Sequence, residues 1–323
     1  MPMNHPELIW HNGQIKPWQE ATTHVMSHAL HYGSSVFEGI RVYATPDGPR
    51  GFRLSDHLDR LLYSARVYRM PVAHNRDELA EICRQVVQVN QLPSAYLRPV
   101  IYRGFGGLGV APGPDTPLEM AVAAIPWGAY LGEEGLERGV DVCVSSWNRV
   151  APNTIPAGAK AGGNYLSSQL ISMEAKRLGF AEGIGLGTDG LVSEGAGENL
   201  FLVRDGVLHT PPAAASILGG LTRASIIQLA RDLGYEVIEQ ALPREMLYLA
   251  DELFFTGTAA EVTPIRSVDG LMVGAGCRGP ITETLQQAFF GLFDGRTPDR
   301  HGWLEPMTST QQEVVRVQAA VAV

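Results

Sequence analysis

Only three lysines occur among the 25 basic residues of this 323-residue chain, and the surroundings of Lys160 suit chemistry. Lys160 lies in Ala157-Gly-Ala-Lys-Ala-Gly-Gly-Asn164, where small residues let a flat ring approach the backbone. A lysine amine removed from water can act as a nucleophile on a carbonyl carbon. Lys16, on a polar hairpin strand, and Lys176, on an outward helix face, are interpreted as surface residues. Spacing alone leaves a catalytic Lys160 and an ordinary loop lysine equally open.

Three other segments have residues suited to a charged, phosphorylated ligand. Gly219-Gly-Leu-Thr222 opens a predicted helix with a hydroxyl cap, which favours an anion. Thr256-Gly-Thr-Ala-Ala260 follows a predicted strand and offers amides and hydroxyls. Ser193-Glu-Gly-Ala-Gly-Glu-Asn199 places carboxylates in a glycine-rich turn, and a carboxylate beside a pyridine nitrogen keeps that nitrogen protonated. With a Schiff-base lysine, these are the parts that pyridoxal phosphate requires.

A glycine-rich segment, Gly104-Phe-Gly-Gly-Leu-Gly109, matches the G-x-G-x-x-G pattern of dinucleotide-binding loops. That pattern requires a helix to begin at the glycines, so that its amide dipoles hold the pyrophosphate. The prolines that follow and forbid this helix are Pro112, Pro114 and Pro117. We interpret the segment as a loop near a binding pocket, and a nucleotide-binding module is the alternative of another class.

Three histidines, His24, His28 and His31, have a spacing that a metal could use on one helix face. A zinc site would add a carboxylate or thiolate, and Gly33 closes the segment early, so structural roles are favoured and no metal is expected. The three cysteines lie far apart without a CxxC pair, which fits neither a zinc finger nor a disulfide framework. A serine hydrolase has no G-x-S-x-G motif to support it.

The composition is that of a globular protein, with 45% hydrophobic and 18% charged residues. With 34 acidic and 25 basic residues the net charge is −9, which argues against general nucleic-acid binding because phosphate neutralisation needs clustered positive charge. No apolar run reaches the roughly 20 residues of a membrane-spanning helix, and the first residues lack a signal-peptide pattern. We expect a cytoplasmic protein without nucleic-acid or membrane partners.

The periodicity predicts two mixed α/β layers whose strands are often joined by hairpins. Asn12-Gly13 predicts a tight turn in a hairpin over Leu8–Lys16. Further predicted strands are Tyr96–Tyr102, Glu119–Ile125, Val140–Ser145, Gly183–Gly187, Asn199–Val203, Val207–His209 and Glu252–Thr256. The predicted helices are Ser55–Met70, Asp77–Asn90, Tyr165–Leu178, Arg223–Leu233 and Pro280–Leu292. The length predicts about two domains: a small α/β domain at 1–126 and a larger cofactor-binding domain with a C-terminal tail at 136–323, joined by a linker at 127–135.

Five longer motifs occur in order along the chain: His28-Ala-Leu-His-Tyr-Gly-Ser-Ser-Val-Phe-Glu-Gly-Ile-Arg41, Pro126-Trp-Gly-Ala-Tyr130, Ser145-Ser-Trp-Asn-Arg-Val-Ala-Pro-Asn-Thr-Ile-Pro156, Lys160-Ala-Gly-Gly-Asn-Tyr165 and Ser193-Glu-Gly-Ala-Gly-Glu-Asn-Leu-Phe201. Together they closely resemble the branched-chain amino acid aminotransferases of the class IV (fold type IV) pyridoxal-phosphate family. The resemblance runs from Glu7 to about Glu305. It implies two mixed α/β domains with the cofactor in the interdomain cleft, and a homodimer whose partner completes the active site; hexamers also occur in the family.

The resemblance also implies roles for individual residues toward the cofactor. Lys160 would be the Schiff-base lysine and would carry the proton between the substrate α-carbon and the cofactor C4′. Tyr165 would hydrogen-bond the ring oxygen, and Glu194 would pair with the pyridine nitrogen. The phosphate would be held by Arg60, the amides of Leu221 and Thr222, and Thr258.

Toward the substrate, the resemblance implies a side-chain pocket lined by Tyr32, Phe37, Trp127, Tyr130, Tyr165 and Val110. Tyr96 and the amides of Thr258 and Ala259 would hold the α-carboxylate. Arg98, with Arg41 as the alternative, would bind the distal carboxylate of glutamate. An arginine at the rim of an aromatic pocket suits a site that accepts both an apolar side chain and a second carboxylate, because its fork binds carboxylate and its faces stack on rings.

The expected reaction is reversible amino transfer between L-leucine, L-isoleucine or L-valine and 2-oxoglutarate, which becomes L-glutamate. D-Amino acid transamination or an aminodeoxychorismate lyase activity on the same scaffold is the alternative, and the motifs at 32–41 and 127–130 argue against it. The sequence leaves open the preferred branched-chain substrate, any aromatic side activity, the choice between dimer and hexamer, and the role of the tail after Glu305.

Overall fold

The computed structural model of the protein describes residues 5–107, 109–126 and 132–308. The chain forms two compact units. The first comprises the described residues of Met1–Trp127, Ala159–Gly163 and Asp299–Val323, and the second those of Gly128–Gly158 and Asn164–Pro298. No helix within the described ranges has the length and apolar character needed to cross a bilayer.

The elements of both units are numbered along the chain. The strands are β1 (Leu8–His11), β2 (Gln14–Pro17), β3 (Ser35–Phe37), β4 (Ile40–Thr45), β5 (Gly48–Phe52), β6 (Ala95–Arg103), β7 (Leu118–Ile125), β8 (Val140–Val144), β9 (Glu182–Leu186), β10 (Val192–Gly195), β11 (Asn199–Arg204), β12 (Val207–Thr210), β13 (Val237–Glu239), β14 (Glu252–Gly257), β15 (Glu261–Val268), β16 (Leu271–Met272) and β17 (Leu304–Pro306). The α-helices are α1 (His28–Tyr32), α2 (Leu54–Val67), α3 (Arg76–Val89), α4 (Glu133–Arg138), α5 (Tyr165–Arg177), α6 (Leu221–Asp232), α7 (Met246–Leu249) and α8 (Pro280–Asp294).

The described strands of the first unit form an eight-stranded antiparallel sheet in the order β17-β5-β4-β6-β7-β1-β2, and β3 also pairs with β6. Side chains alternate between the two faces of a strand. Along β6, Leu97 and Ile101 enter the hydrophobic core, which α2 and α3 complete with residues such as Leu58 and Val86. Tyr96 and Arg98 therefore lie on the opposite face.

The helices α2 and α3 confirm the helices predicted from the 3.6-residue periodicity. α3 begins with a capping box, in which the Asn75 side chain accepts from the amide of Glu78 and the Glu78 carboxylate accepts from the amide of Asn75. α2 ends before the predicted Met70, because Arg69 adopts a left-handed φ of 54° that a helix cannot continue through. The predicted hairpin is also confirmed, with Asn12 and Gly13 both at positive φ between β1 and β2.

The second unit contains a nine-stranded mixed sheet among its described residues. Its order is β10-β9-β8-β15-β14-β11-β12-β13, with β16 paired to β15. The β8–β9, β8–β15 and β12–β13 pairs are parallel, whereas β14 pairs antiparallel with both β11 and β15. Leu200, Leu202 and Phe255 form part of its core. The two sheets with their helices confirm the predicted mixed α/β class.

The compact units differ from the predicted domains in being discontinuous. Ala159–Gly163 groups with the first unit because Ala161 bridges Val36 in β3, and the chain from Asp299 does so because β17 pairs with β5. The predicted linker at 127–135 stays a prediction over 127–131, which lie outside the described residues. Its last residues are helical, because α4 begins at Glu133.

Candidate active site

The Lys160 segment is bound through its main chain to β3 and α2. The amide of Phe37 donates to the carbonyl oxygen of Lys160 at 3.0 Å, and Val36 forms an antiparallel bridge with Ala161. The amide of Lys160 donates to the Ser64 hydroxyl of α2 at 2.9 Å. These contacts fix the backbone on both sides of Lys160. The strand β3 and the helix α2 therefore determine the position from which the lysine side chain extends.

The small residues after Lys160 are required by close backbone approaches. A Cβ built on Gly162 would lie 2.3 Å from the hydroxyl oxygen of Ser35, and one on Gly33 would lie 3.1 Å from the Cα of Gly163. Gly33 also has φ 66° at the end of α1, a left-handed conformation that favours glycine. The glycines therefore let the lysine segment lie against residues 33–35.

Three of the predicted substrate residues cluster with the lysine amine. The Nζ of Lys160 lies 5.1 Å from the ring centroid of Phe37, and the guanidinium carbon of Arg98 lies 4.8 Å from that same centroid. Arg98 also lies 5.2 Å from the ring centroid of Tyr96 and donates to its hydroxyl oxygen at 3.5 Å. The first unit thus brings an amine, a guanidinium and two aromatic rings together on one sheet face.

The two arginines proposed for the distal carboxylate have different surroundings. Arg41 lies opposite Tyr96 in the β4–β6 register, is 8% exposed, and has its guanidinium carbon 6.0 Å from the ring centroid of Tyr43. Arg98 instead stacks on Phe37 beside the lysine. A Cβ on Gly39 would lie 1.8 Å from the Tyr96 hydroxyl oxygen, so a glycine is needed there to leave room for that tyrosine.

Arg60, the predicted phosphate ligand of the first unit, is held by a buried carboxylate. Its Nε donates to Oε1 of Glu38 at 2.6 Å and its Nη2 donates to Oε2 at 2.9 Å. The Nδ1 of His57 lies 2.7 Å from the same Oε2, and Glu38 has no exposed surface. His57 and Arg60 are three residues apart on α2, so they share one helix face.

The charges around Glu38 determine its ionisation. Burial alone would raise the pKa of Glu38, but the charge of Arg60, followed by that of His57 and the hydrogen bonds from both, lowers that pKa far below its ordinary value. Burial lowers the pKa of His57, and Arg60 and Lys160 act in the same direction, while Glu38 opposes them. Glu38 is therefore ionised, and its Oε2 accepts a hydrogen bond from the Nδ1–H of His57.

His28 connects the histidine segment to the glycine-rich loop through hydrogen bonds. His28 is buried, and its ring nitrogens lie 2.7 Å from the Ser34 hydroxyl and 3.0 Å from the Gly109 carbonyl oxygen. No helix follows Gly109 in the described residues before β7 begins. In the described part of the chain, no group of three or more His, Cys, Asp or Glu side chains could hold a metal.

The remaining predicted pocket residues are placed as follows. Tyr32 is 43% exposed at the end of α1, and Val110 is 82% exposed in the glycine-rich loop. Tyr165 is the first residue of α5 and is half-buried. Trp127 and Tyr130 lie outside the described residues.

Glu194, predicted to face a pyridine nitrogen, is held by three donors within the second unit. Arg149 donates to its Oε1 at 2.6 Å, and the Asn199 side chain and the Leu218 amide donate to its Oε2, both at 3.0 Å. Both partners of the ion pair are buried. The Nη1 of Arg149 also donates to Ser168 of α5 at 2.9 Å, which fixes the guanidinium. The carboxylate therefore has a single orientation.

The predicted phosphate residues of the second unit lie at a helix start and a strand turn. Leu221 and Thr222 are the first two residues of α6, and the amides at a helix start are groups of the kind that bind anions. Thr258 and Ala259 form the turn between β14 and β15. The buried hydroxyl oxygen of Thr256, two residues earlier, has no hydrogen-bond partner among the described residues.

These groups fit pyridoxal phosphate piece by piece. A lysine amine suits its carbonyl carbon, a fixed carboxylate suits its ring nitrogen, and helix-start amides suit its phosphate. The Thr256 hydroxyl, with no partner in the described part of the chain, is a buried polar group near the β14–β15 turn that still has hydrogen-bonding capacity. In the first unit, the Arg60 guanidinium held by Glu38 is by its chemistry a donor suited to a phosphate.

The comparison with known families decides the identity of the fold. The profile of the family described as amino-transferase class IV matches residues 35–268. The chain belongs to the class IV aminotransferases. It is 59% identical over 303 residues to the branched-chain-amino-acid aminotransferase of Salmonella typhimurium, with 94% of this chain and 98% of that protein covered.

Solved structures of class IV aminotransferases agree with this assignment. The crystal structure of the Escherichia coli branched-chain amino acid aminotransferase is 58% identical, has a TM-score of 0.93, and covers 94% of this chain and 100% of that chain. The branched-chain aminotransferase of Thermoproteus uzoniensis with norvaline is 40% identical, with TM-score 0.88 and coverage of 94% and 99%. The branched-chain amino acid aminotransferase of Thermobaculum terrenum, in its pyridoxal-phosphate holo-form, is 36% identical, with TM-score 0.87 and the same coverage.

Several residues of this class IV aminotransferase site were not singled out by the sequence analysis. Glu38 and Arg149 lie in the motifs that carry the resemblance and His57 lies three residues before Arg60, and no role was assigned to them. The spacing of His57, Arg60 and Ser64 at i, i+3 and i+7 places them on one helix face, which was a usable signal. Glu38, the partner of His57 and Arg60, lies about 20 residues earlier on the loop after β3, and no local pattern pairs it with those two residues.

Proposed function

We propose that this class IV aminotransferase catalyses reversible amino transfer between L-leucine, L-isoleucine or L-valine and 2-oxoglutarate, with pyridoxal 5′-phosphate as its cofactor. The observation that carries the proposal is the cluster of the Lys160 amine, the Phe37 ring and the stacked Arg98 guanidinium. An amine beside an apolar ring and a cation suits a reaction that alternates between an aliphatic amino acid and a dicarboxylate. The printed names of the relatives at 58% and 59% identity support the same substrate class.

Lys160 is the residue that moves the proton. When bound, pyridoxal phosphate supplies a carbonyl carbon that takes the amino group and a ring that withdraws electrons from the substrate α-carbon. We assign to Lys160 Nζ the removal of the α-proton as general base and its delivery to C4′ as general acid. The same residue serves both half-reactions: the branched-chain amino acid leaves as its 2-oxo acid, and 2-oxoglutarate leaves as L-glutamate.

Separate residues would hold the cofactor ring and its phosphate. Glu194, fixed by Arg149, would bind the protonated pyridine nitrogen, and Tyr165 would donate to the ring oxygen. The phosphate ligands of the proposal are Arg60, the amides of Leu221 and Thr222, and Thr258. The Arg60 side chain would lose little conformational entropy on binding the phosphate, because Glu38 already fixes its guanidinium.

Polar groups would bind the two carboxylates of the substrates, and a separate set of mainly apolar and aromatic residues would form the side-chain pocket. Tyr96 and the amides of Thr258 and Ala259 would hold the α-carboxylate. We assign the distal carboxylate of glutamate to Arg98 rather than Arg41, because its guanidinium lies over Phe37 while Arg41 is nearly buried. The proposed side-chain pocket consists of Tyr32, Phe37, Val110, Trp127, Tyr130 and Tyr165.

We further propose a homodimer as the minimal unit, with the hexamer as its larger form. One face of α5 supports a partner copy: Leu166, Leu170 and Met173, at i, i+4 and i+7, are 63%, 40% and 66% exposed. An apolar helix face of this kind is typical of an interface. A cytoplasmic location, without nucleic-acid or membrane partners, is proposed from the net charge of −9 and the free, buried Cys83 and Cys143.

The experiment that tests this function compares two lysines. Purified protein with pyridoxal phosphate should show an absorbance band near the visible edge and should form L-glutamate from L-leucine and 2-oxoglutarate. Lys160→Ala should lose both while keeping its circular dichroism, since the fold does not depend on the amine. Lys176→Ala, at the exposed end of α5, is the matched control and should keep both.

Two outcomes would contradict the proposal. No glutamate from L-leucine together with turnover of D-alanine would favour D-amino acid transamination on the same scaffold. Normal turnover of Lys160→Ala would remove the assigned base. Half-reactions with each amino acid in turn would then rank leucine, isoleucine and valine.

A further inference from the structure

We infer that Ser64 is a positioning residue for Lys160, acting through the lysine backbone. The inference rests on the proposed function, since it concerns the proton transfer assigned to Lys160. The Ser64 hydroxyl oxygen accepts a hydrogen bond from the Lys160 amide at 2.9 Å. Its effect on the amine is therefore indirect, through the main chain from which the lysine side chain extends.

The surroundings make this hydrogen bond hard to replace. Ser64 has no exposed surface, and the two residues beside Lys160, Ala159 and Ala161, are 2% and 1% exposed. Ala161 belongs to the hydrophobic core of the first unit. An amide buried in such a place depends on a protein acceptor, because water has little access to it.

The direction of the Ser64 hydroxyl is fixed by a second bond. It donates its proton to the carbonyl oxygen of Arg60, one turn earlier on α2, at 2.8 Å. A carbonyl oxygen can only accept, so a hydroxyl lone pair remains for the Lys160 amide. The same helix face therefore sets both Arg60, whose guanidinium Glu38 holds, and the backbone from which the lysine side chain begins.

The contact on the other side of the lysine completes the geometry. The Phe37 amide binds the Lys160 carbonyl oxygen at 3.0 Å, so the Lys160 peptide groups are held between β3 and α2. Without the hydroxyl, the tie from the Lys160 amide to α2 is lost. Proton transfer depends steeply on the placement of the base, and a shift of about 1 Å can cost about a hundredfold in rate.

The test compares Ser64→Ala with Ser64→Thr, which keeps the hydroxyl, in the holoenzyme. We expect Ser64→Ala to slow the single-turnover reaction with L-leucine by about ten- to a hundredfold, and Ser64→Thr to recover most of the rate. Affinity for pyridoxamine phosphate, which carries its own amine and makes no bond to lysine, should change by less than about twofold. Hydrogen exchange of the peptide containing the Lys160 amide should become faster in Ser64→Ala.

Tyr63→Phe is the matched control, because it removes an exposed hydroxyl from the same helix, next to Ser64. It should leave the single-turnover rate unchanged. A normal rate in Ser64→Ala overturns the inference, as does a loss of pyridoxamine phosphate affinity by the same factor as the rate, which indicates a general structural role. If the unsubstituted protein converts no L-leucine, the proposed function fails instead, and amide exchange in Ser64→Ala against the unsubstituted protein then decides the positioning role.

Discussion

Glu38 is a carboxylate with no exposed surface that remains charged because three donor atoms surround it. Two come from the Arg60 guanidinium and one from the His57 ring, all between 2.6 and 2.9 Å. A buried charge of this kind is tolerated when its hydrogen bonds are satisfied, and removing one partner is far more costly than removing the whole set. The orientation of Arg60, a proposed phosphate ligand, thus depends on Glu38 being ionised.

This arrangement predicts a pH-dependent stability difference for Glu38→Gln. The pKa of Glu38 is lower in the folded than in the unfolded protein, so its ionised form contributes stability above the unfolded value of about 4.3. That contribution is lost as the pH falls through this value toward the folded pKa. We expect the unsubstituted protein to melt higher than the variant near pH 7, and the gap to shrink as the pH falls below about 4.

Thermal unfolding of the cofactor-free protein across this pH range measures the gap. Glu20→Gln, at an exposed carboxylate on the surface, is the control and should follow the unsubstituted protein at every pH. A gap for Glu38→Gln that does not change with pH would contradict an ionised Glu38 and leave its role to packing alone.

At the level of elements, the start of α2 is capped from the far end of the chain. The carboxylate of Glu305 accepts the Ser55 amide through Oε1 and the Ser55 hydroxyl through Oε2, both at 2.7 Å. A carboxylate at a helix start satisfies unpaired amides and opposes the positive end of the dipole. The short strand β17 therefore also stabilises the helix that carries Arg60 and Ser64.

Glu305→Ala should destabilise the protein through this cap. The loss of an N-terminal cap costs about 1–2 kcal/mol, which corresponds to a melting temperature lower by roughly 1.5–3 °C in a chain of this length. Differential scanning calorimetry measures the shift. Arg300→Ala, an exposed residue in the same segment, is the control, and an equal shift in that variant would show that the segment is sensitive to any change.

The helices and strands differ in how well they can be predicted from their own sequence. α3 was predicted to within one residue at each end from its apolar periodicity, and its start is encoded locally by the Asn75–Glu78 capping box. β3 and β17 were not predicted, since three residues are too few to show an alternation, and the longer strands β4, β5 and β15 were not predicted either. The partner of β17 lies about 250 residues earlier, so its pairing is a property of the folded chain.

The candidate site likewise contains residues that local sequence indicates and residue pairs that only the folded chain brings together. Lys160 could be selected from the sequence because only three lysines exist and its neighbours are small. The Glu38–Arg60 pair could not, since it requires the loop after β3 to face α2 in the folded unit. The Arg149–Glu194 pair joins residues 45 apart, and it likewise depends on tertiary packing.

At the scale of the whole molecule, the exposed apolar face of α5 predicts where copies meet. In a two-fold dimer each residue near the axis faces its own copy, so an added charge meets a like charge. The double substitution Leu170→Glu with Met173→Glu should therefore shift the protein toward a monomer. Light scattering coupled to size-exclusion chromatography measures the mass.

Arg231→Glu, an exposed charge change on α6, is the control for the dimer experiment and should keep the mass of the unsubstituted protein. An unchanged mass for the α5 double variant would mean that the interface lies elsewhere. A monomeric unsubstituted protein would contradict the dimer itself.

The discontinuous first unit has a consequence for synthesis on the ribosome. Its strands up to β7 emerge early, but the Lys160 segment comes later and β17 later still. At about 5–20 residues per second, the roughly 180 residues between β7 and β17 take about 10–35 s to be made. During that time β5 has an open edge of the kind that promotes association between nascent chains. An N-terminal part that usually folds first is here completed only after the residues of the second unit have been made.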